Sequence, residues 1–235
     1  MMRSSRGQTF LLLFSAGALF PVALAPLHYW PVALPCIAVL FYQLQHQSIK
    51  QALAKTVVFA FGMYFAGVSW VYVSIHDHGF VAAPLAMLAT ALFCLFLSLL
   101  FALPFALSAL IPQRTTAWLI GLPAIWVLSE WFRSWAFTGF PWLYAGYIHT
   151  ETWLNGWAPI GGVIWLSFIS ALAAATLTQL YQVQRNSPQP IHRSVKISIF
   201  AMLLITVSGY LLQNINWTQV TGKTLSVVLI QPNTD

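Results

Sequence analysis

Apolar runs separated by short polar links organise this chain, and the run lengths decide its class. The first run covers residues 9–25 and closes on Pro26-Leu27-His28-Tyr29-Trp30-Pro31, an aromatic turn suited to a membrane interface. A shorter second run, 32–44, contains Pro35 and gives way to polar residues up to Lys50. The third, 55–75, carries Gly62 and Gly67, small residues of the kind that let helices approach closely. The fourth, 81–111, would measure about 45 Å as one helix, against a hydrocarbon core of about 30 Å. A tilt, or a kink at Pro104, is therefore expected. Further runs at 117–131, 156–181 and 195–212 bring the expected transmembrane helices to about seven.

Composition agrees with an all-α polytopic membrane protein. Hydrophobic residues make up 59% of the chain and charged residues 6%, where a soluble domain carries about 25% charge. So little charge cannot cover a water-facing surface. The net charge of +6 does not point to nucleic acid, because the basic residues are scattered through the links rather than gathered on one face. It sets orientation instead. With the N-terminus inside, Arg3, Arg6, Lys50, Lys55, Arg114, Arg185, Arg193 and Lys196 are cytoplasmic, and only Arg133 and Lys223 lie opposite. That asymmetry fits seven spans and an external C-terminus. Arg3, Arg6 and Ala23-Leu24-Ala25 have the outline of a cleavable signal peptide, but Pro26 and the following apolar run favour an uncleaved first span. Cys36 and Cys94 sit inside apolar runs, as buried or lipid-facing small hydrophobes, and give no disulfide framework.

The end of the chain changes character. Residues 225–231 are short, apolar and β-branched, with Lys223-Thr224 before and Pro232-Asn233 after. This predicts a buried strand. One strand cannot form a sheet, so the chain is expected to be a fragment: a helical membrane domain over 1–217, and the start of a water-soluble domain at 224–235.

Candidate chemistry centres on the stretch from Glu130 to Trp142. Ionisable residues near membrane depth are costly and are functional candidates by default. Glu130 and Arg133 are three apart, so on a helix they share a face and can pair. One reading is an interfacial salt bridge that caps the fifth span. The other makes Arg133 a phosphate-binding guanidinium at headgroup level, with Gly139-Phe140-Pro141-Trp142 as a fixed loop, glycine permitting unusual backbone angles and proline setting φ. Past the fifth span the chain is expected to continue as a loop through Asn155. His76-Asp77-His78 makes only a partial ligand set, and no metal or cofactor is assigned. Trp70 and Tyr72 read as an interfacial aromatic belt. No Ser-His-Asp order, phosphate loop or zinc-protease motif occurs.

A family resemblance joins these pieces. The segment from Gly67 through Trp70, Tyr72 and Ser74 resembles the G-x-x-W-x-Y-x-S segment of bacterial apolipoprotein N-acyltransferases. Pro123-Ala124-Ile125-Trp126, Glu130 with Arg133, Thr138-Gly139-Phe140-Pro141-Trp142-Leu143 and Gly146-Tyr147 are similar to further motifs of that family, in order. So is Ala158-Pro159-Ile160-Gly161-Gly162-Val163, and 227–231 looks like the first strand of its nitrilase-like α/β domain. The resemblance implies an enzyme of the bacterial inner membrane. It would move an acyl chain from a phospholipid donor to a cysteine thiol, then to the α-amine of the diacylglyceryl-cysteine that begins a lipoprotein. The family's Glu-Lys-Cys triad is expected beyond Asp235, so neither Cys36 nor Cys94 inherits the nucleophile's role. Trp70, Tyr72, Ser74, Glu130, Arg133, Gly139, Phe140, Pro141 and Trp142 become the substrate-side candidates. His76-Asp77-His78 departs from the pattern and receives no role. Two other readings stay open at this level: a membrane half serving a polyprenyl-phosphate glycosyltransferase, and a non-catalytic scaffold.

Overall fold

The computed structural model describes residues 5–112, 114–185, 190–219, 221, 222 and 226–231. Arg3, Gln113, Pro188, Lys223, Thr224, Leu225, Pro232, Asn233 and Asp235 lie outside the described residues. What is described is helical, with no strand. The order is α1 (Arg6–Leu19), α2 (Ala33–Leu44), α3 (Ile49–Val68), α4 (Val71–Val73), α5 (Ala83–Ala102), α6 (Thr115–Trp135), α7 (Ala158–Arg185) and α8 (Arg193–Leu212). Short 3-10 turns join them.

Four stretches among the described residues are long and apolar enough to cross a membrane: Ile49–Val68, Ala83–Leu110, Trp153–Arg185 and Arg193–Leu212. The other three expected spans are less regular. Helix α1 has 14 residues and continues into the 3-10 turn Phe20–Ala23, while α2 has 12. Helix α6 has 21 residues, but Glu130, Arg133 and four tryptophans dilute its apolar run. The long fourth run breaks where Pro104 predicts, α5 passing into the 3-10 helix Leu103–Leu110. The third run also breaks: α3 stops at Val68, and a turn, α4 and a π-turn at Ser74–His78 follow.

Packing explains why these elements hold together. Helices α1 and α3 run parallel, because Arg6 and Phe10 lie beside Lys50 and Ala54 at their starts while Pro21, just past α1, lies beside Gly67 at the end of α3. A Cβ built on Gly17 would stand 1.9 Å from the Phe59 carbonyl oxygen, and one on Gly62 would stand 2.2 Å from that of Phe14. Only glycine admits so close a backbone crossing, the route by which helices associate where lipid removes the hydrophobic drive. Polar side chains tie other pairs. Ser129 donates to the Phe101 carbonyl, Thr178 to that of Ala38 at 3.2 Å, and Thr176 and Ser198 share a bond of 2.7 Å.

The centre of the bundle is Trp126 on α6. Its ring lies 5.1 to 6.2 Å from those of Phe20, Phe41, Phe59, Phe101 and Phe105, which come from the end of α1, from α2, from α3 and from the broken fourth run. Several of these are edge-on contacts of the kind worth about 0.5–1.5 kcal/mol each beyond buried area. Trp126 is completely buried, and the indole N–H of a buried tryptophan needs an acceptor. That need fixes Glu130 one turn on.

The strand expected at 225–231 does not form over its described part. Residues 226–231 carry no secondary structure, and Val227 to Ile230 are exposed. A strand takes its ladder hydrogen bonds from a neighbouring strand, and the described residues contain no strand.

Candidate functional site

Helix α6 carries the two charges that the sequence singled out, and it does not end at them. It runs on to Trp135, past the expected end at Trp131, so Arg133 is helical like Glu130. Both are completely buried. Glu130 Oε1 accepts from Trp126 Nε1 at 2.7 Å and from the Ala145 backbone N–H at 2.8 Å. The Tyr144 hydroxyl donates to the Glu130 carbonyl at 2.9 Å. One carboxylate thus joins the aromatic core to the far end of the loop.

Arg133 closes the near part. Its Nη1 donates to the Phe140 carbonyl at 2.7 Å and the Trp142 carbonyl at 2.6 Å. The guanidinium lies between the Tyr64 and Tyr144 rings, 5.2 and 4.9 Å from their centroids. Stacking on aromatic faces suits arginine rather than lysine. The expected Glu130–Arg133 salt bridge is not made: they share a face, but no ion pair between them comes within 4.0 Å among the described residues. The loop folds back over Arg133, and the Phe140 and Trp142 carbonyls occupy its Nη1, while Nε and Nη2 are buried without a hydrogen-bond partner among the described residues.

The loop itself is held in an uncommon shape. Phe137, Thr138, Gly139 and Leu143 have φ of 52°, 72°, 85° and 58°. At Gly139 a Cβ would stand 2.1 Å from the Ser134 carbonyl oxygen, so that position needs glycine twice over, for space and for φ. Leu143 is buried against Gly67 at the end of α3, where any larger residue would displace it. These anchors turn the remaining aromatics outward. Trp142 is 48% exposed; its ring stacks on Phe140 at 5.3 Å and lies 6.0 Å from Trp70, which is also 48% exposed. Phe140 meets Phe93 edge-on at 5.4 Å, and Phe137 meets Phe96 at 5.3 Å. Pro141 is exposed between Phe140 and Trp142.

The candidates from the third run divide. Trp70 joins the loop. Tyr72 turns to His76, ring to ring at 5.3 Å, and Ser74 is exposed at the head of the π-turn. His76 Nδ1 is 2.7 Å from the Val81 carbonyl and its Nε2 is 3.9 Å from Asp77, so this histidine serves its own turn. Tyr64 and Tyr144 form the arginine cradle without having been anticipated. A tyrosine in the middle of the third apolar run was the available signal for Tyr64. His149 also escaped notice. It is buried between Thr152 Oγ1 and Ser170 Oγ, both at 2.9 Å, and burial pushes its pKa down to about 4, so it is neutral at pH 7.

A helical membrane protein whose buried Glu–Arg centre clamps an aromatic loop is the class these features define. The sequence model of the family described as apolipoprotein N-acyltransferase N-terminal domain matches residues 16–176, and the chain belongs to that family. It is 40% identical over 228 residues to the apolipoprotein N-acyltransferase of Azotobacter vinelandii, covering 96% of this chain and 43% of that protein. The Pseudomonas aeruginosa protein of the same name is 42% identical over 226 residues, covering 95% and 43%, and that of Coxiella burnetii is 34% identical, covering 95% and 45%. The chain therefore spans a little under half the length of these relatives. Neither the glycosyltransferase reading nor the scaffold reading is supported by these matches.

Proposed function

We propose that this chain is the membrane part of an apolipoprotein N-acyltransferase, which moves a phospholipid acyl chain to the N-terminal diacylglyceryl-cysteine of lipoproteins. Residues 1–217 form its membrane domain, crossing the bacterial inner membrane seven times with the N-terminus cytoplasmic and the C-terminus periplasmic. Residues 224–235 begin a nitrilase-like domain that supplies the Glu-Lys-Cys chemistry. The carrying observation is the loop at 136–143. Arg133 fixes the carbonyls of Phe140 and Trp142, and the exposed Trp142 and Trp70 rings then form one aromatic face. Flat amphipathic rings at interface depth suit the glycerol and upper acyl region of a lipid.

In this reading Trp70, Phe140, Pro141 and Trp142 meet the lipid, and Glu130, Arg133 and Gly139 hold them in place. Tyr72 and Ser74 shape the neighbouring turn. The test uses the full-length enzyme. Trp142→Ala removes an exposed ring, so acyl-thioester formation should fall about tenfold with the melting temperature unchanged. Arg133→Ala should lower both, because it strips a fully buried cation from two carbonyls and costs about 2–4 kcal/mol. Unchanged thioester formation in Trp142→Ala overturns the lipid-facing assignment.

A further inference from the structure

At the end of the bundle away from the aromatic loop, α1 and α3 begin side by side. Each is capped by its own serine and glutamine, Ser5 with Gln8 and Ser48 with Gln51, and neither has an acidic residue in its first turn. The first acidic residue in the chain is Asp77. Helix N-termini favour negative charge, yet Arg6 opens α1 and Lys50 stands in the first turn of α3. Lys55, one turn further, donates to the Gln43 carbonyl at 2.8 Å. None of these three cations makes an ion pair among the described residues. They line a cleft of about 560 Å³ together with Gln47, Gln51 and Phe10. Two helix dipoles and three cations of one sign therefore converge on a space without a counter-charge among the described residues.

The same seam then becomes apolar. Along α1, Arg6 and Phe10 are followed by Phe14; along α3, Lys50, Ala54 and Val58 are followed by Phe61. These residues recur at helical spacing, so they lie on one stripe. Phe14, Val58 and Phe61, with Ala91, Leu92 and Leu95 of α5, line a groove of about 440 Å³ that is almost wholly apolar. From Ala54 to Phe61 the seam rises about 10 Å. A basic cleft followed along the same seam by an apolar groove has the two-part character of a phospholipid. Basic pockets between membrane helices bind anionic headgroups.

We infer that the α1–α3 seam is a binding site for one anionic phospholipid, with its phosphate among Arg6, Lys50 and Lys55 and one acyl chain along the groove closed by α5. The site lies about 30 Å along α3 from the aromatic loop and is independent of the acyl-transfer reading. A free phosphate would use the cleft alone; a lipid uses both halves.

Native mass spectrometry of the purified chain in detergent tests this, with phosphatidylglycerol, phosphatidylcholine of the same acyl chains and inorganic phosphate as probes. One phosphatidylglycerol should bind about tenfold more tightly than phosphatidylcholine. The Arg6→Gln/Lys50→Gln variant should lose that preference and Lys50→Arg should keep it. Ala91→Phe, which fills the groove, should weaken both lipids. Arg6 and Lys50 are exposed, so unchanged melting temperatures confirm that the variants fold. Equal binding of the two lipids, or a preference that survives the double variant, overturns the proposal. Inorganic phosphate binding that matches phosphatidylglycerol and ignores Ala91→Phe makes the cleft a simple anion site and also overturns it.

Discussion

Arg133 is a fully buried charge, costly unless partnered; its Nη1 and its two ring faces are partnered, while Nε and Nη2 have no hydrogen-bond partner among the described residues. Two carbonyls accept from one guanidinium nitrogen, and two tyrosine rings face the cation. Charge-assisted bonds of this kind contribute about 1.5–3 kcal/mol each. The same residue fixes the backbone positions from which Phe140 and Trp142 project, so stabilisation and presentation of the aromatic face have one origin. His149 meets burial in the opposite way, by staying neutral between two hydroxyls. Its pKa is pushed down to about 4 in the folded protein from an ordinary 6.5. Above pH 6.5 it is neutral in both states and exerts no pH-dependent effect. As pH falls through 6.5 the unfolded chain takes a proton that the folded protein refuses, and stability is lost until the folded group protonates near 4. The full loss is worth about 3 kcal/mol. The melting temperature should therefore fall between pH 6.5 and 4, and His149→Gln should flatten that slope whatever its own starting stability. Equal slopes would assign the acid sensitivity to another group.

The α1–α3 pair shows what a helix contact without side chains requires. Gly17 and Gly62 bring backbone to backbone, and a methyl group on either meets a carbonyl oxygen of the other helix. Backbone yields less readily than a side chain, so Gly62→Ala should cost about 1–3 kcal/mol, read as a lower melting temperature. Gly7→Ala is the control: nothing among the described residues lies closer to its added Cβ than 4.0 Å, and alanine is the better helix former, so that variant should be neutral or more stable. The elements were largely legible in the sequence because each apolar run needs only its own length and its flanking polar links to be recognised. The break at Pro104 and the use of Gly62 and Gly67 follow from local chemistry in the same way. What was not legible depended on partners distant in the chain. Tyr64 and Tyr144 stand on either side of Arg133 although 80 residues separate them, by the difference of their numbers. Glu130 and Arg133 were read as the end of a helix because charge near an apolar run ordinarily marks its exit; here the fold brings loop backbone to them instead, and α6 continues. The 225–231 run carries the composition of a strand, but strand formation belongs to a pair and not to a segment.

At the scale of the whole molecule, the bundle has two chemically different ends. One gathers the N-termini of α1 and α3 with Arg6, Lys50 and Lys55. The other gathers Trp70, Phe137, Trp142, Trp153 and the His28–Glu151 pair at 3.4 Å. Alternating helices connect them, so Thr150 at the aromatic end and Arg114 at the basic end should face opposite sides of the membrane. The proposed orientation, argued from the excess of Lys and Arg at the Arg114 end, puts that side in the cytoplasm. Thr150→Cys and Arg114→Cys place thiols at exposed positions, while the native Cys36 and Cys94 are buried and give little background. In intact cells an impermeant maleimide should label Thr150→Cys, and Arg114→Cys should react only after the inner membrane is opened. Labelling of both from outside would mean that fewer helices cross than seven, with α6 the first to doubt because Glu130 and Arg133 lie within it. Labelling of Arg114→Cys alone from outside would keep the crossings and invert them, placing the aromatic loop in the cytoplasm. A periplasmic acyl transfer at that loop would then be impossible. The orientation experiment therefore tests the proposed function as well as the topology, without requiring any catalytic turnover.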